Sequence, residues 1–172
     1  MDPTLEQLSA RVGHALARRG WMLATAESCT GGWIAEVVTA TAGSSTWFDR
    51  GFITYSNAAK TDMLDVSSET LLAHGAVSEA TVAEMAAGVL AHSLADTGIA
   101  VSGVAGPGGG SPAKPVGTVC IAWALRQGEV FTSTLRLDGD RETVRRQTVI
   151  AALNELIRLA DSDSSISARS VP

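Results

Sequence analysis

The segment formed by residues 103–117 most strongly limits how this chain can fold, because its fifteen residues include six glycines and three prolines. Glycine and proline disfavour the interiors of helices and strands, so this segment is predicted to be a loop. A short apolar strand precedes it, at residues 98–102. Two alternating stretches follow it, at residues 118–125 and 130–137, and they predict an antiparallel hairpin. The loop therefore separates two kinds of sequence pattern.

Before the loop, predicted helices alternate with short strands. The helical patterns cover residues 5–19, 33–41, 58–64, 68–74 and 79–94, and the strands cover residues 21–25, 52–55 and 98–102. Asp140 is predicted to cap a final helix that runs to about residue 160. Alternation followed by a hairpin predicts an α/β fold, in which helices cover both faces of a mixed sheet.

The chain has 172 residues, which predicts one domain at residues 1–160 and a polar, disordered tail at residues 161–172. A net charge of −5 and 5% aromatic residues argue against direct nucleic-acid binding. No apolar run reaches transmembrane length and no signal pattern is present, so no membrane association is expected. Cys29 and Cys120 form neither a metal motif nor a disulfide framework. We therefore expect a cytoplasmic protein without a metal or other cofactor.

The segment TAESCTGG, residues 25–32, lies between a predicted strand and a predicted helix. Its small residues let the backbone approach a ligand, and the following helix start presents unpaired N–H groups. Ser28 can be a nucleophile here, with N–H groups around residues 29–31 stabilising an oxyanion. A simple helix cap with a tight turn would give the same pattern. The candidate substrate-binding residues of this segment are Cys29, Thr30, Gly31 and Gly32.

Cys29 competes with Ser28 as the nucleophile, because cysteine is intrinsically the stronger one. A reactive cysteine needs a group that stabilises its thiolate. The three histidines lie on predicted helix faces or at helix ends, and no motif connects them with this segment. The sequence therefore supports neither a Cys–His pair nor a Ser–His–Asp triad.

Lys60 and Tyr55 form a second candidate pair, close after the strand at residues 52–55. A lysine in a partly desolvated pocket has a lowered pKa and can accept the proton of a serine hydroxyl. Ser–Lys pairs catalyse acyl transfer in several known enzymes. The spacing alone favours the alternative, a surface lysine and an amphipathic tyrosine at a helix start.

Two further segments could bind an anion. The glycine-rich loop can offer backbone N–H groups, and its candidate residues are Gly103, Ala105 and Gly106. Arg141 and Arg145 lie near the start of the last predicted helix, where arginine opposes the helix dipole and an anionic ligand would favour it. The alternatives are a flexible connector for the first segment and a solvated helix face for the second.

Taken together, these segments resemble the C-terminal domain of the competence/damage-inducible protein CinA, and within that family the stand-alone nicotinamide-nucleotide amidohydrolases. The resemblance covers about residues 5–160. It is carried by TAESCTGG (25–32), GSS (43–45), RGFITYSNAAK (50–60), HGAVSE (74–79), SGVAGPGGG (102–110), KPVGTV (114–119) and GDRETVRRQ (139–147).

This resemblance implies a three-layer α/β/α domain that hydrolyses the carboxamide of nicotinamide mononucleotide to nicotinate mononucleotide and ammonia. It also implies a serine amidase mechanism, in which the family's serine, lysine and tyrosine fall on Ser28, Lys60 and Tyr55. Arg141, Arg145 and the glycine-rich loop are then expected to hold the phosphate of this small nucleotide substrate.

Two other kinds of function stay open at this stage. The chain could bind a nucleotide without turnover, or it could be an interaction module connected with competence or DNA damage, as the family name suggests. The sequence also leaves a homo-oligomer open, because the apolar helix around residues 82–90 could pack against a second copy or against its own sheet.

Overall fold

The computed structural model describes residues 2–162. In this range the helices are α1 (Pro3–Arg19), α2 (Trp33–Thr39), α3 (Asn57–Leu64), α4 (Ser68–His74), α5 (Glu79–Ala91) and α6 (Arg141–Ser162). The strands are β1 (Leu23–Glu27), β2 (Phe48–Ile53), β3 (Thr97–Gly103), β4 (Thr118–Leu125) and β5 (Val130–Arg136). None of these helices is long and apolar enough to cross a membrane.

The strands form a single mixed sheet in the order β2-β1-β3-β4-β5. β1 pairs in parallel with β2 and β3, whereas β4 pairs antiparallel with both of its neighbours. Helices α1, α2 and α6 pack on one face of the sheet, and α3, α4 and α5 pack on the other. The expected three-layer α/β/α fold with a mixed sheet is therefore confirmed.

The two faces of the sheet differ in the size of their side chains. Large residues face α1, α2 and α6, among them Ile99, Val101, Ile121 and Trp123. Alanines face α5, namely Ala24, Ala26, Ala100, Ala122 and Ala124. Small side chains let a helix approach a sheet closely, so α5 packs at a short distance from this face of the sheet. Helix α3 is held just as closely against α5, since a Cβ atom added to Gly88 would lie 2.1 Å from the carbonyl oxygen of Leu64.

The order of the strands places a crevice at the carboxyl end of β1. From β1 the chain continues to β2 on one side, and later returns to β3 on the other side. In open α/β sheets, ligands bind outside the carboxyl ends of the strands where the direction of winding reverses. The segments that follow β1, β2 and β3 therefore meet at one edge of the sheet.

The structure moves the boundaries of several predicted elements. β1 begins at Leu23 rather than at residue 21, because the Trp21 N–H donates to the Leu16 carbonyl and closes the end of α1. β2 runs from Phe48 to Ile53, so the predicted strand at residues 52–55 was wrong at both ends. β2 is an edge strand with exposed residues, and its sequence lacks a clear apolar alternation.

The ends of the chain also differ from expectation. α1 begins at Pro3, since the carboxylate of Asp2 accepts the N–H of Thr4 at 2.8 Å and proline suits a first helical position. At the other end, Asp161 and Ser162 continue α6, although the sequence placed them in the tail. Asp161 forms an ion pair with Arg18 at 2.5 Å. The rest of the predicted tail, residues 163–172, lies outside the described residues.

Candidate active site

A tight loop carries Ser28 from the end of β1 to the start of α2. The Ser28 N–H donates to the carbonyl of Val101 on β3 at 3.1 Å, which ties the loop to the neighbouring strand. Gly31 and Gly32 have φ angles of 62° and 103°, a region that side chains disfavour. The double glycine of the sequence therefore makes the turn that leads into α2.

The buried carboxylate of Glu27 fixes this loop through hydrogen bonds. Its side chain is 1% exposed. It accepts the hydroxyl of Thr30 at 2.6 Å and the N–H groups of Gly32, Ile34 and Ala35 at 3.0, 3.0 and 2.9 Å. A negative charge at the start of a helix satisfies its unpaired donors and stabilises its dipole. Glu27 is therefore the cap of α2, a role that the sequence analysis did not assign.

These contacts reduce the number of donors that an oxyanion could use. The Gly31 N–H donates to the Ser28 carbonyl at 3.1 Å, so it serves the turn. The Gly32 N–H is bound to Glu27. Within the loop as described, the N–H groups of Cys29 and Thr30 have no protein acceptor outside their own residues. These two groups are the donors that the loop keeps for a ligand.

Lys60 reaches the loop from α3, on the opposite side of the crevice. Its Nζ lies 3.2 Å from Ser28 Oγ, 2.8 Å from the Thr54 carbonyl and 3.5 Å from the Tyr55 carbonyl. Ser56 caps α3 by accepting the Ala59 N–H at 3.0 Å, and this fixes the helix that carries the lysine. A neutral amine has two N–H bonds and one lone pair. The two carbonyls can take the hydrogens, which leaves the lone pair for Ser28.

Burial shifts the pKa values of the two ionisable groups nearest to Ser28 in opposite directions. It lowers the pKa of the Lys60 amine, an effect that the neighbouring Cys29 thiol group partly opposes. Lys60 is 1% exposed. Burial also raises the pKa of the Cys29 thiol to about 12. At neutral pH the lysine is thus shifted toward its basic form, while the cysteine keeps its proton, and this favours Ser28 over Cys29 as the nucleophile.

Ser28 and Lys60 open into a cavity of about 260 Å³, which we call the inner cavity. It is lined by Ser28, Cys29, Tyr55, Lys60, Ala76, Val77, Ser102, Gly103, Ala105 and Arg141. Ser102, Ala76 and Val77 were missed by the sequence analysis. Ser102 is the penultimate residue of β3, and its position at a strand end within SGVAGPGGG was the available signal. Ala76 and Val77 belong to the motif HGAVSE, but a short apolar pair in a loop carries no chemical signature.

Tyr55 lies at the mouth of the inner cavity. Its residue is 63% exposed, and its hydroxyl accepts a hydrogen bond from Arg141 Nη2 at 3.3 Å. The backbone carbonyl of Tyr55, rather than its ring, is the part of the residue near Lys60. The structure therefore brings Ser28 and Lys60 together and places the Tyr55 hydroxyl beside an arginine.

Arg141 connects the glycine-rich loop with the mouth of the cavity. Its Nη1 donates to the carbonyl of Gly106 at 2.8 Å. Asp140 caps α6 by accepting the Thr143 N–H at 2.8 Å, as predicted. Hydrogen bonds from the side chain and from the backbone N–H of Thr143 lower the pKa of the Asp140 carboxyl. The cap keeps Arg141 at the first helical position. Gly103 and Ala105 line the inner cavity, whereas Gly106 contributes its carbonyl to Arg141.

On the other side of Arg141 lies a second depression of about 480 Å³, which we call the outer cleft. It runs between the starts of α2 and α6, and it is lined by Thr30, Gly31, Gly32, Trp33, Glu36, Arg141, Glu142 and Arg145. Arg145 directs Nε and Nη2 to the carbonyls of Cys29 and Thr30. The candidate substrate-binding residues of the sequence thus border the inner cavity or the outer cleft, except Gly106, which contacts Arg141 through its carbonyl.

The described residues offer no evident metal centre at this site. Across residues 2–162, no group of three or more His, Cys, Asp or Glu side chains is arranged to hold a metal ion. The inner cavity offers the Lys60 amine, the hydroxyls of Ser28 and Ser102, the Cys29 thiol and two backbone N–H groups, and it has Tyr55 and Arg141 at its mouth.

Comparison with known proteins places this geometry in a family. The model of the CinA C-terminal domain matches residues 5–160. A protein of Escherichia coli strain K12 named nicotinamide-nucleotide amidohydrolase PncC is 56% identical over 155 residues, which are 90% of this chain and 94% of that protein. A protein of the same name from Pseudomonas putida is 54% identical over 159 residues, covering 92% and 98% of the two chains.

A solved structure agrees with this relationship. The crystal structure of the competence/damage inducible protein CihA from Agrobacterium tumefaciens has a TM-score of 0.89 and 48% sequence identity, and the match covers 92% of this chain and 97% of that one. The resemblance inferred from seven short motifs is confirmed over nearly the whole described structure. The chain belongs to the CinA C-terminal domain family.

Proposed function

We propose that this protein is an amidohydrolase that removes ammonia from the carboxamide of nicotinamide mononucleotide through a serine–lysine mechanism. The observation that carries the proposal is the 3.2 Å contact between Lys60 Nζ and Ser28 Oγ, inside a buried cavity with two unpaired backbone N–H groups beside it. The names of the relatives at 53–56% identity support the choice of substrate.

The first half of the reaction forms an ester. Neutral Lys60 accepts the Ser28 hydroxyl proton while Ser28 Oγ bonds to the carboxamide carbon. The carbonyl oxygen becomes an oxyanion, which the N–H groups of Cys29 and Thr30 stabilise. Lys60 then returns its proton to the amide nitrogen, the carbon–nitrogen bond breaks, and ammonia leaves. Ser28 is now esterified to the nicotinate group.

The second half repeats these proton transfers with water. Lys60 accepts a proton from the water molecule that attacks the ester carbon, and the same two N–H groups again stabilise the oxyanion. The carbon–oxygen bond to Ser28 breaks, and the serine recovers its proton from Lys60. The net reaction converts one carboxamide and one water into a carboxylate and an ammonium ion, because ammonia takes up the proton that the carboxylic acid releases.

The residues at the mouth orient the substrate in this scheme. The Tyr55 hydroxyl and the Arg141 guanidinium form a hydrogen-bonded polar pair at the mouth of the inner cavity. We assign an orienting role to Tyr55, because its hydroxyl lies beside Arg141 at the mouth and only its backbone carbonyl lies near Lys60. Arg141 supplies a positive charge for the phosphate, and the rest of the nucleotide extends towards the outer cleft.

The proposal is tested by measuring ammonia release from purified protein with nicotinamide mononucleotide. We expect turnover by the unmodified protein and a loss of roughly 10⁴-fold or more in Ser28→Ala, because the nucleophile is gone. Cys29→Ala should keep a rate far above that of Ser28→Ala, since its protonated thiol takes no part. Mass spectrometry after rapid quenching should show the acyl group on Ser28.

Other outcomes would redirect the assignment. Collapse of the rate in Cys29→Ala together with normal turnover in Ser28→Ala would move the nucleophile to Cys29. Tight binding of the mononucleotide by the unmodified protein, with no ammonia released over hours, would contradict the enzymatic proposal and favour a binding module.

A further inference from the structure

Arg145 makes an unusual set of contacts for an arginine at the start of a helix. Its Nε donates to the Cys29 carbonyl at 3.0 Å, and its Nη2 donates to the Thr30 carbonyl at 2.9 Å. Its guanidinium also lies 5.2 Å from the centre of the Trp33 ring, a cation–π distance. Both carbonyls belong to the loop that carries Ser28. The Arg145 side chain therefore binds the backbone of the loop that carries Ser28.

Because the peptide bond is planar, these hydrogen bonds also orient the N–H group of the same peptide unit. The carbonyl of Cys29 and the N–H of Thr30 belong to one peptide unit, and in a trans peptide these two groups point in opposite directions. A charged donor that fixes the carbonyl therefore also fixes the N–H. That N–H is one of the two in this loop that have no protein acceptor among residues 2–162.

The loop is held at the same point from the other side. The Thr30 hydroxyl donates to the buried carboxylate of Glu27 at 2.6 Å. Arg145 thus fixes the backbone of Thr30 while Glu27 fixes its side chain. Preorganised donors stabilise a developing charge because they need no rearrangement during the reaction.

We propose that Arg145 is a positioning residue: its two hydrogen bonds to the loop carbonyls aim the Thr30 N–H at the oxyanion formed on Ser28. This inference rests on the proposed amidase function. It differs from the role expected from the sequence, in which Arg145 binds the phosphate of the substrate directly. A positioning residue acts on the transition state, so its loss lowers kcat. A phosphate ligand acts on binding, so its loss raises KM for phosphorylated substrate alone.

Arg145→Gln and Arg145→Lys test this inference, with Arg146→Gln as the matched control. Arg146 is the next residue on α6, but its guanidinium pairs with Asp2 at 2.5 Å, away from the loop. We expect Arg145→Gln to lower kcat for the mononucleotide about 10- to 100-fold, less than deletion of an oxyanion donor, with KM changed less than about threefold. The nucleoside without phosphate should show the same fall in kcat.

The lysine variant adds a second readout. A lysine presents a compact charge on a flexible stem and cannot reproduce the rigid fork of a guanidinium, so Arg145→Lys should recover only part of the rate. An unchanged kcat with a raised KM for the mononucleotide alone would overturn the inference and make Arg145 a phosphate ligand. An unchanged kcat and KM in both variants would overturn it as well.

Hydrogen–deuterium exchange provides a test that does not depend on turnover. In Arg145→Gln, the hydrogen-bonded amides of residues 31–33 should exchange faster than in Arg146→Gln, because the loop has lost one of its two supports. Equal exchange in the two variants would overturn the inference. Absence of ammonia release from the unmodified protein would contradict the proposed function instead, and the exchange measurement would still decide whether Arg145 holds the loop.

Discussion

The inner cavity and the outer cleft share Arg141, but they are built from different chemistry. The inner cavity is enclosed by buried groups, with Lys60 at 1% exposure and Ser28 at 8%. The outer cleft is wider, and it is bordered by two arginines and two glutamates at the starts of helices. The difference teaches that enclosure and charge are separated in this site: in the proposed mechanism the reacting groups lie in the enclosed inner cavity, and Arg141, proposed to recognise the phosphate, lies at its border with the more open outer cleft.

After the loss of Ser28 itself, the largest expected effect lies in the inner cavity and concerns Lys60. Lys60→Met removes the base, and Lys60→Arg keeps the charge but offers no group that can accept a proton at neutral pH. Both changes should lower kcat for ammonia release by about 10²–10⁴-fold. Lys114→Arg is the matched control, because Lys114 is the other lysine of the chain and donates to the His74 carbonyl outside the catalytic pair. Full activity in Lys60→Arg would refute the role of Lys60 as base.

The pH dependence of the rate gives the next largest effect. Burial lowers the pKa of Lys60, and only its neutral form can accept the Ser28 proton. The value of kcat/KM should therefore rise about tenfold per pH unit while Lys60 is protonated, and become constant above its lowered pKa. This plateau should begin below about pH 10.4, the ordinary pKa of lysine.

The same profile measured on Lys60→Met separates this residue from other titrating groups. The rising limb should be absent from the residual activity of the variant. A rise that persists in Lys60→Met, or one that continues up to about pH 10.4 in the unmodified protein, would show that another group sets the rate.

The smallest expected effect concerns the border between the two regions, at Arg141. Arg141→Gln should lower kcat/KM for the mononucleotide about 10- to 100-fold, the loss that follows removal of one charge-assisted hydrogen bond to phosphate. The rate with the nucleoside should change much less. Arg158→Gln is the control on the same helix, since Arg158 is paired with Glu155 in the C-terminal half of α6. Equal losses with both substrates would show that Arg141 does not recognise phosphate.

The sequence predicted the inner cavity better than its surroundings. Ser28 and Lys60 are 32 positions apart, yet each belongs to a motif with its own chemical logic: a hydroxyl at a helix start and a lysine just after a strand. Layers and strand types also followed from hydrophobic patterning and from the position of the glycine-rich segment. These features are encoded locally, so they can be recognised without knowing the tertiary structure.

The features that could not be predicted depend on where distant segments meet. Nothing in the sequence around Arg145 indicates that its donors face the carbonyls of Cys29 and Thr30, more than a hundred residues away. The cap provided by Glu27 was hidden because a carboxylate in a buried strand has no local signature. The exposed edge strand β2 was misplaced for a related reason: its partner on β1, rather than its own pattern, determines its extent.

The cap on α2 has a consequence for selectivity in a crowded cell. The start of a helix beside a nucleophile attracts free phosphate, sulfate and carboxylate ions, and any of them would block the reaction centre. Here that position is already occupied by a carboxylate that belongs to the chain, with four donors arranged around it. A free ion would have to displace the Glu27 carboxylate, which is covalently attached to the chain. The Glu27 side chain thus opposes the binding of stray anions at the start of α2, while the described backbone leaves the N–H groups of Cys29 and Thr30 available to a ligand.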